Sequence, residues 1–422
     1  MRRLVLVSSL LVTLASLAPA QSRVVAVWDT NAVHGSTIDS LVVRSMVDAG
    51  IKALTDSTTV GGAWKSCFPG LTATQNIALK LTVWSLASMP AHPPVTRAIL
   101  RGLTQMQLGA TAFRPWRLIA FDRWNREFSG AGYTVRTDTF DMRCGGNDST
   151  WGYQAKSYSI LGTAERFSGA LADSSAFMIN LSVLKDMSVS TINFSLSMKN
   201  HYGTINYPSG LHSSSSMHRQ VPEVVRVIRD SLGHKEKIYI IDGLFAIYNS
   251  PSSSPQATPR TLILSKDPVA IDSFGVEMLN NMRVAHGYTP KSSPYLAYAE
   301  SIGLGTRRYT LIRINNPSAV ELEPAPEGRS YDFALFPPRP NPFAGTTEIS
   351  FLLPKAGEAR VEVFNALGGR VRTLTRGTRS AGQHTVTWDG RDGSGQKVAS
   401  GVYLVRLAFG RSSIERTLSL VH

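Results

Sequence analysis

The sequence predicts an α/β domain with a mostly parallel sheet covered by helices on both faces, followed by a small all-β sandwich. Three observations carry this. From Arg23 to about Thr310, short β-branched runs alternate with amphipathic stretches, the pattern of strands joined by helical crossovers. Residues 321–342 then become proline-dense, Glu-Pro-Ala-Pro-Glu-Gly and later Phe-Pro-Pro-Arg-Pro-Asn-Pro, which fits neither helix nor sheet interior. Beyond them the pattern is apolar–polar alternation between turn signals.

Strands are expected at Val24 to Trp28, Ile77 to Val83, Arg117 to Phe121, Ala176 to Leu181, Ile238 to Ile241 and Thr261 to Leu264. Ile38, Leu41, Val42, Ser45, Met46 and Ala49 share one helical face. Val95, Ile99, Leu100, Leu103 and Met106 share another, on a helix opened by Pro93-Pro94. After the proline-dense segment, strands are expected at Thr347 to Leu353, Ala359 to Phe364, Arg370 to Leu374, His384 to Trp388, Val402 to Ala408 and Ile414 to Leu420. The expected organisation is therefore residues 1–20 as a signal peptide, 21–320 as the α/β domain, 321–342 as a linker and 343–422 as the sandwich.

The signal-peptide expectation rests on Met1-Arg2-Arg3 as a basic head, the apolar run Leu4 to Leu17 and the small-x-small sequence Ala18-Pro19-Ala20. No later apolar run approaches the ~20 residues needed to span a bilayer, so the mature chain is expected outside the cytoplasm without a membrane helix. A net charge of +14 from 44 Lys plus Arg against 30 Asp plus Glu favours anionic surfaces, including a cell-surface polymer. Nucleic acid ranks last among such partners, because no basic run is interleaved with aromatics. Cys67 and Cys144 are the only cysteines, too few for a cysteine-ligated iron–sulfur cluster or a four-cysteine zinc site. A single disulfide and two separate thiols both remain open.

In the C-terminal region, Arg339-Pro340-Asn341-Pro342-Phe343, Glu348 to Phe351, Val363 to Val371, His384 to Asp392 and Ser400-Gly401-Val402-Tyr403 together resemble the flagellar hook-cap-type immunoglobulin-like domain. That module commonly ends exported proteins as a type IX secretion sorting domain. The resemblance implies an immunoglobulin-like β-sandwich, engagement of the secretion machinery, and an extracellular or outer-surface location. Trp388 is the expected anchor of the sandwich, and Asp389 and Asp392 are expected to serve turn chemistry rather than calcium.

In the α/β region, polar residues follow the apolar strands: Asp122-Arg123, Lys185, Lys199-Asn200-His201, Asp242-Gly243 and Asp267-Pro268-Val269-Ala270-Ile271-Asp272, while Lys80 lies within the strand Ile77 to Val83. In α/β folds, groups at strand ends line the binding crevice. Asp267 before Pro268 is also well placed as a helix cap, and Asp272 then falls one turn into that helix. In this order, with Ala63-Trp64-Lys65, His92-Pro93 and Ala131-Gly132-Tyr133 upstream, the segments look like the domain of unknown function 362 family, over roughly Val24 to Arg308. The resemblance implies redox chemistry, since many relatives carry ferredoxin-type clusters. This chain lacks the cysteines, and it has Asp186 and Met187 where relatives tend to have a polar residue and a histidine.

Two functions follow as expectations. In one, an enzyme of unstated reaction holds a divalent metal with His218, Asp242, Asp267 and Asp272, while Lys80, Lys185, Lys199, Asn200 and His201 bind ligand. In the other, a secreted binding protein uses Lys185, Lys199 and Asn200 to hold an anionic ligand, such as a carboxylate or phosphate, without turnover. Convergence of the acidic residues on a common point would separate the two. The sequence contains no phosphate-binding glycine loop, no Gly-x-Ser-x-Gly elbow and no His-Glu-x-x-His.

Overall fold

The computed structural model describes residues 22–83, 89–189, 191–208, 215–250, 254–319, 333–336, 338, 340–354, 356–366, 368–380, 382–410 and 412–421. The expected signal peptide and residues 321–332 of the expected linker lie outside them. The chain divides into two compact units, Met1–Glu321 and Leu322–His422.

The first unit is built on a nine-stranded sheet. Its strands are β1 (Ser22–Trp28), β2 (Ile77–Leu81), β3 (Leu118–Asp122), β4 (Arg143–Gly146), β5 (Phe177–Val189), β6 (Ile192–Ser195), β7 (Glu236–Ile247), β8 (Thr261–Ser265) and β9 (Tyr309–Asn315). The spatial order is β9-β1-β8-β7-β5-β2-β3-β4, with β6 folded back on β5. The path is parallel throughout except at β8, which runs antiparallel to both β1 and β7. The residues between β7 and β8 contain no described helix, so β8 lacks the crossover that a parallel strand needs.

Helices cover both faces. One face packs against α1 (Ser40–Thr55), α2 (Val60–Cys67) and α3 (Pro93–Thr104), with Leu79, Ile179, Ile238 and Leu264 from the sheet. The other packs against α5 (Ser197–Asn200), α6 (Met217–Ser231), α7 (Pro268–Ala285) and α8 (Pro294–Ser301), with Ala78, Met178, Tyr239 and Ile263. A short α4 (Asn125–Gly130) follows β3. Asp39 starts α1 by accepting the Leu41 and Val42 amides; of the expected stripe Val42, Ser45 and Met46 are buried, Ile38 and Ala49 are partly buried, and Leu41 in the first turn is exposed. Strand β4, Arg-Cys-Gly-Gly, carries no β-branched run and is invisible to propensity; it joins the sheet because the β3 ladder pairs with it.

Cys67 on α2 and Cys144 on β4 are separate buried thiols. The disulfide left open by the sequence is not made. Cys67 Sγ lies 3.3 Å from the Ala63 carbonyl of its own helix, and Cys144 sits in a strand that bridges to Arg136.

The second unit is a sandwich of a three-stranded and a four-stranded sheet. The first contains β10 (Ala334–Leu335), β11 (Thr347–Leu353) and β14 (Gly382–Trp388). The second contains β12 (Gly357–Asn365), β13 (Arg370–Arg379), β15 (Gly401–Phe409) and β16 (Ser412–Leu420). Trp388 is fully buried between the Phe343 and Tyr403 rings, and its indole N–H donates to the Arg391 carbonyl at 2.8 Å. Asp392 accepts the Ser394 and Gln396 amides at 2.9 Å each, so this acidic loop is held by turn hydrogen bonds.

Candidate functional site

The chain runs from β2 outward to β3 and β4, returns to β5 beside β2, and then proceeds outward the other way to β7 and β8. The connection after β2 lies on the α3 face and the one after β5 lies on the α5–α6 face. The strand order therefore reverses between β2 and β5. In open α/β sheets the crevice beyond the carboxyl ends at such a point is where ligands bind.

Strand alternation directs Ile77, Leu79 and Leu81 into the α1–α3 face and Ala78 and Lys80 into the other. The Lys80 ammonium is buried, and its three donors are taken by the Leu81 carbonyl, Asp122 Oδ1 at 2.9 Å and Asn200 Oδ1 at 2.9 Å. Burial pulls the Lys80 ammonium below its ordinary range, against the pull of Asp122. Asp122 also accepts the Val83 amide at 2.9 Å and the Arg123 amide at 2.8 Å, which fixes both oxygens.

The β5–β6 hairpin turns the chain back so that α5 lies against this pair. Lys185 is opposite Ser195 in that hairpin, two residues before α5 starts. Lys199 and Asn200 on α5 are both buried. Asn200 accepts from Lys80 and, at 2.9 Å, from Thr82, and it donates to Asn180 Oδ1 at 2.8 Å. Asn180 in turn donates to Glu236 at 2.9 Å, and Glu236 lies 3.0 Å from His201 Nε2. A polar chain thus runs from Lys80 through the sheet to His201 and Glu236, both inside the core. Gly203 seals it. A Cβ there would fall 1.8 Å from Asp122 Oδ1 and 2.8 Å from Lys80 Nζ, so only hydrogen fits.

Lys199 Nζ sits 3.6 Å from the centroid of the Tyr202 ring. Burial, and after it the neighbouring Lys80 and then Lys185, hold the Lys199 ammonium well below the ordinary lysine range; Asp122 opposes them. Lys185 is half-buried, and burial lowers it too. Lys199 therefore has two lysines, Lys80 and Lys185, and one carboxylate, Asp122, as charged neighbours, an excess of positive charge in a poorly solvated place.

The expected metal ligands do not converge. Among the described residues, no group of three or more His, Cys, Asp or Glu is placed to hold a metal ion. Asp242, at the carboxyl edge, is bonded to the His92 amide at 2.9 Å and to His92 Nδ1 at 2.8 Å. Asp267 follows the antiparallel β8 and so lies at the opposite edge, where it caps α7 through the Val269 and Ala270 amides and accepts from Ser22. Asp272 faces α5 and caps it, accepting the Ser197 amide at 2.8 Å and the Met198 amide at 3.1 Å. His218, at the start of α6, bonds Thr191. His201, expected as a ligand-binding group, is instead enclosed by Glu236 and Thr204. Nor do two separated, buried cysteines fit a cysteine-ligated cluster.

The candidate ligand and metal residues read from the sequence leave out Asp122, His92, Asn180, Glu236 and Tyr202. Asp122 carried a signal, an acid closing an apolar strand. The His92–Asp242 pair is the other unforeseen contact at the carboxyl edge. Burial alone would lower the His92 imidazole, and Asp242 outweighs it, so its pKa rises.

Residues 77–277 match the family described as Domain of unknown function (DUF362). The DUF362 region spans β2 to α7 and so contains the whole crevice. Residues 340–412 match the FlgD Ig-like domain. A comparison with curated proteins gives no match. Among solved structures, the chain is similar to FlgD from P. aeruginosa, at 27% identity over 18% of this chain and 57% of that one, with a TM-score of 0.15. It is also similar to dimeric latent PorU from Porphyromonas gingivalis, at 19% identity over 20% of this chain and 9% of that one, with a TM-score of 0.19. PorZ, a surface component of the type-IX secretion system of Porphyromonas gingivalis, is 22% identical over 21% of this chain and 11% of that one, with a TM-score of 0.16. The chain spans less than two thirds of each of these proteins. Among the described residues no helix is long and apolar enough to cross a membrane.

Proposed function

We propose that the protein is exported and that its DUF362 region binds a small carboxylate- or phosphate-bearing ligand at the crevice beyond β2 and β5. The observation that carries this reading is the buried Lys199 beside the Lys80–Asp122 pair at the reversal point of the sheet, with Lys185 as a further positive neighbour of Lys199. Lys80 is committed to Asp122 and Asn200, so an entering anion meets Lys199 and Lys185. It would offset the mutual repulsion of the cations and restore the Lys199 ammonium. The dispersal of His218, Asp242, Asp267 and Asp272 favours this account over the metal-dependent enzyme.

Calorimetric titration of the mature chain with phosphate and with acetate at low salt tests it. Binding should weaken about tenfold in Lys185→Ala, roughly one charge-assisted contact. Equal affinity in the wild type and the variant, or no binding of either anion, would remove the proposal. Export and surface delivery rest on the leader-like residues 1–20 and on the FlgD Ig-like match. A reporter fused to residues 321–422 behind a secretion leader should reach the surface of a host with type IX secretion, and retention in its periplasm would refute the sorting role.

A further inference from the structure

The crevice has two walls, because the connection after β2 lies on one face of the sheet and the connection after β5 on the other. The α5 wall carries Lys199. The opposite wall starts at His92, the residue before α3. The Ala91 amide donates to the Thr82 carbonyl at 2.7 Å, and the Thr82 hydroxyl donates to the same Asn200 oxygen that holds Lys80. Asp242, opposite Val183 of β5, binds the His92 ring and amide. The pair therefore reaches from the end of β2 to β7 across the end of β5, where the strand order reverses. It has a closed end and an open end. Asp242 is fully buried, and its other oxygen accepts the Leu244 amide at 3.2 Å. A carboxylate only accepts, so Nδ1 keeps its hydrogen in both charge states of the ring. Phe245 flanks the ring, the centroids 5.3 Å apart. Nε2 has no hydrogen bond among the described residues, and 18% of the His92 side chain stays exposed.

We infer that His92 is a ligand-binding residue of the crevice, its Nε2–H donating to the carboxylate or phosphate that Lys199 meets from the other wall. This deepens the anion-binding reading and rests on it. With the ring protonated, the His92–Asp242 pair is neutral and ends in an N–H donor. With the ring deprotonated, it bears the Asp242 charge and ends in a lone pair, and both repel an anion. Anion affinity is thereby tied to the histidine's own titration. Asp242 is the charge that favours the protonated ring. Tyr133, which donates to the Ala91 carbonyl at 2.9 Å, is kept neutral by burial, and Lys80 and Asp122 beyond Thr82 offset each other.

The test follows the histidine ring nitrogens of the labelled mature chain by NMR from about pH 5.5 to about pH 9, without anion, with acetate and with phosphate; acetate stays ionised over that range. His92→Gln identifies the His92 signals. Bound anion should raise the His92 midpoint, and calorimetric acetate affinity should fall about tenfold as the ring loses its proton. That step should be absent from His92→Gln and should move to lower pH in Asp242→Asn. The midpoint shift in the wild-type chain decides the matter even if a variant folds poorly. Binding of acetate or phosphate that leaves the His92 midpoint unmoved overturns the inference and leaves the anion site standing. Absence of binding of either anion overturns the two together.

Discussion

Lys80 and Asp122 form a buried ion pair at 2.9 Å, and removing either partner strands a charge in the core. Lys80→Met or Asp122→Asn should each lower stability by roughly 3–5 kcal/mol, and the double substitution by clearly less than the sum. Denaturant unfolding of the four forms measures the coupling. Asp272 gives a pH signature. Its folded pKa is raised to about 7 by desolvation, which the Met198 and Ser197 amides only partly offset. The folded state therefore holds the proton more tightly than the unfolded state. Stability from this group is full below about pH 4 and is lost as pH rises through about 7. The thermal midpoint should fall across that window in the wild type and fall less in Asp272→Asn. Lys199 acts in the opposite sense: its lowered pKa makes the protonated form unfavourable in the fold, and that penalty disappears as pH rises toward the ordinary lysine value of 10.5. Because a bound anion favours the ammonium, with Lys80, Lys185 and Asp122 as its charged neighbours, phosphate binding should take up a proton and weaken with rising pH. Titration in buffers of different ionisation heat reads that uptake.

The two aspartates of Asp267-Pro-Val-Ala-Ile-Asp272 separate at the level of elements. Asp267 caps its own helix, α7. Asp272 reaches across to cap α5, which carries Lys199 and Asn200. Asp267→Ala should cost about 1 kcal/mol and leave phosphate affinity unchanged. Asp272→Ala should cost about 1–3 kcal/mol for the unpaired amides and should also weaken phosphate binding, because the turn bearing Lys199 loosens. Equal effects on affinity would contradict this division of roles. Gly203→Ala should likewise destabilise the fold, since the added methyl must part Asp122 from Lys80. Much of the element level was legible: the six expected strands of the first unit and the helix carrying Val42, Ser45, Met46 and Ala49 all form, because buried strands and amphipathic faces leave a periodic pattern. The directions of those strands leave no such pattern.

At the scale of the whole molecule, each unit has its own core, with Leu79 and Ile240 in the first and Phe351 and Trp388 in the second. Trp388→Ala should cost roughly 3–5 kcal/mol in the second unit's unfolding transition and leave the first unaltered. Calorimetry on the mature chain, compared with a chain ending at residue 320, separates the transitions. The shorter chain should retain phosphate affinity.

By itself, the sequence determined the α/β fold of the first unit, the sandwich of the second and the list of polar residues at the strand ends. These are local properties, written in periodicity, turn chemistry and composition. Tertiary structure alone decided which of those residues meet. Because β8 runs against its neighbours, Asp267 and Asp242 lie at opposite edges of the sheet, and a set that looked like a metal site in one dimension is dispersed in three. Because β5 returns beside β2, Lys80, Asp122, Lys185 and Lys199 come together from strands and a hairpin far apart in the chain. Strand direction and order are fixed by the packing of both faces at once, a global balance that no short stretch of residues records.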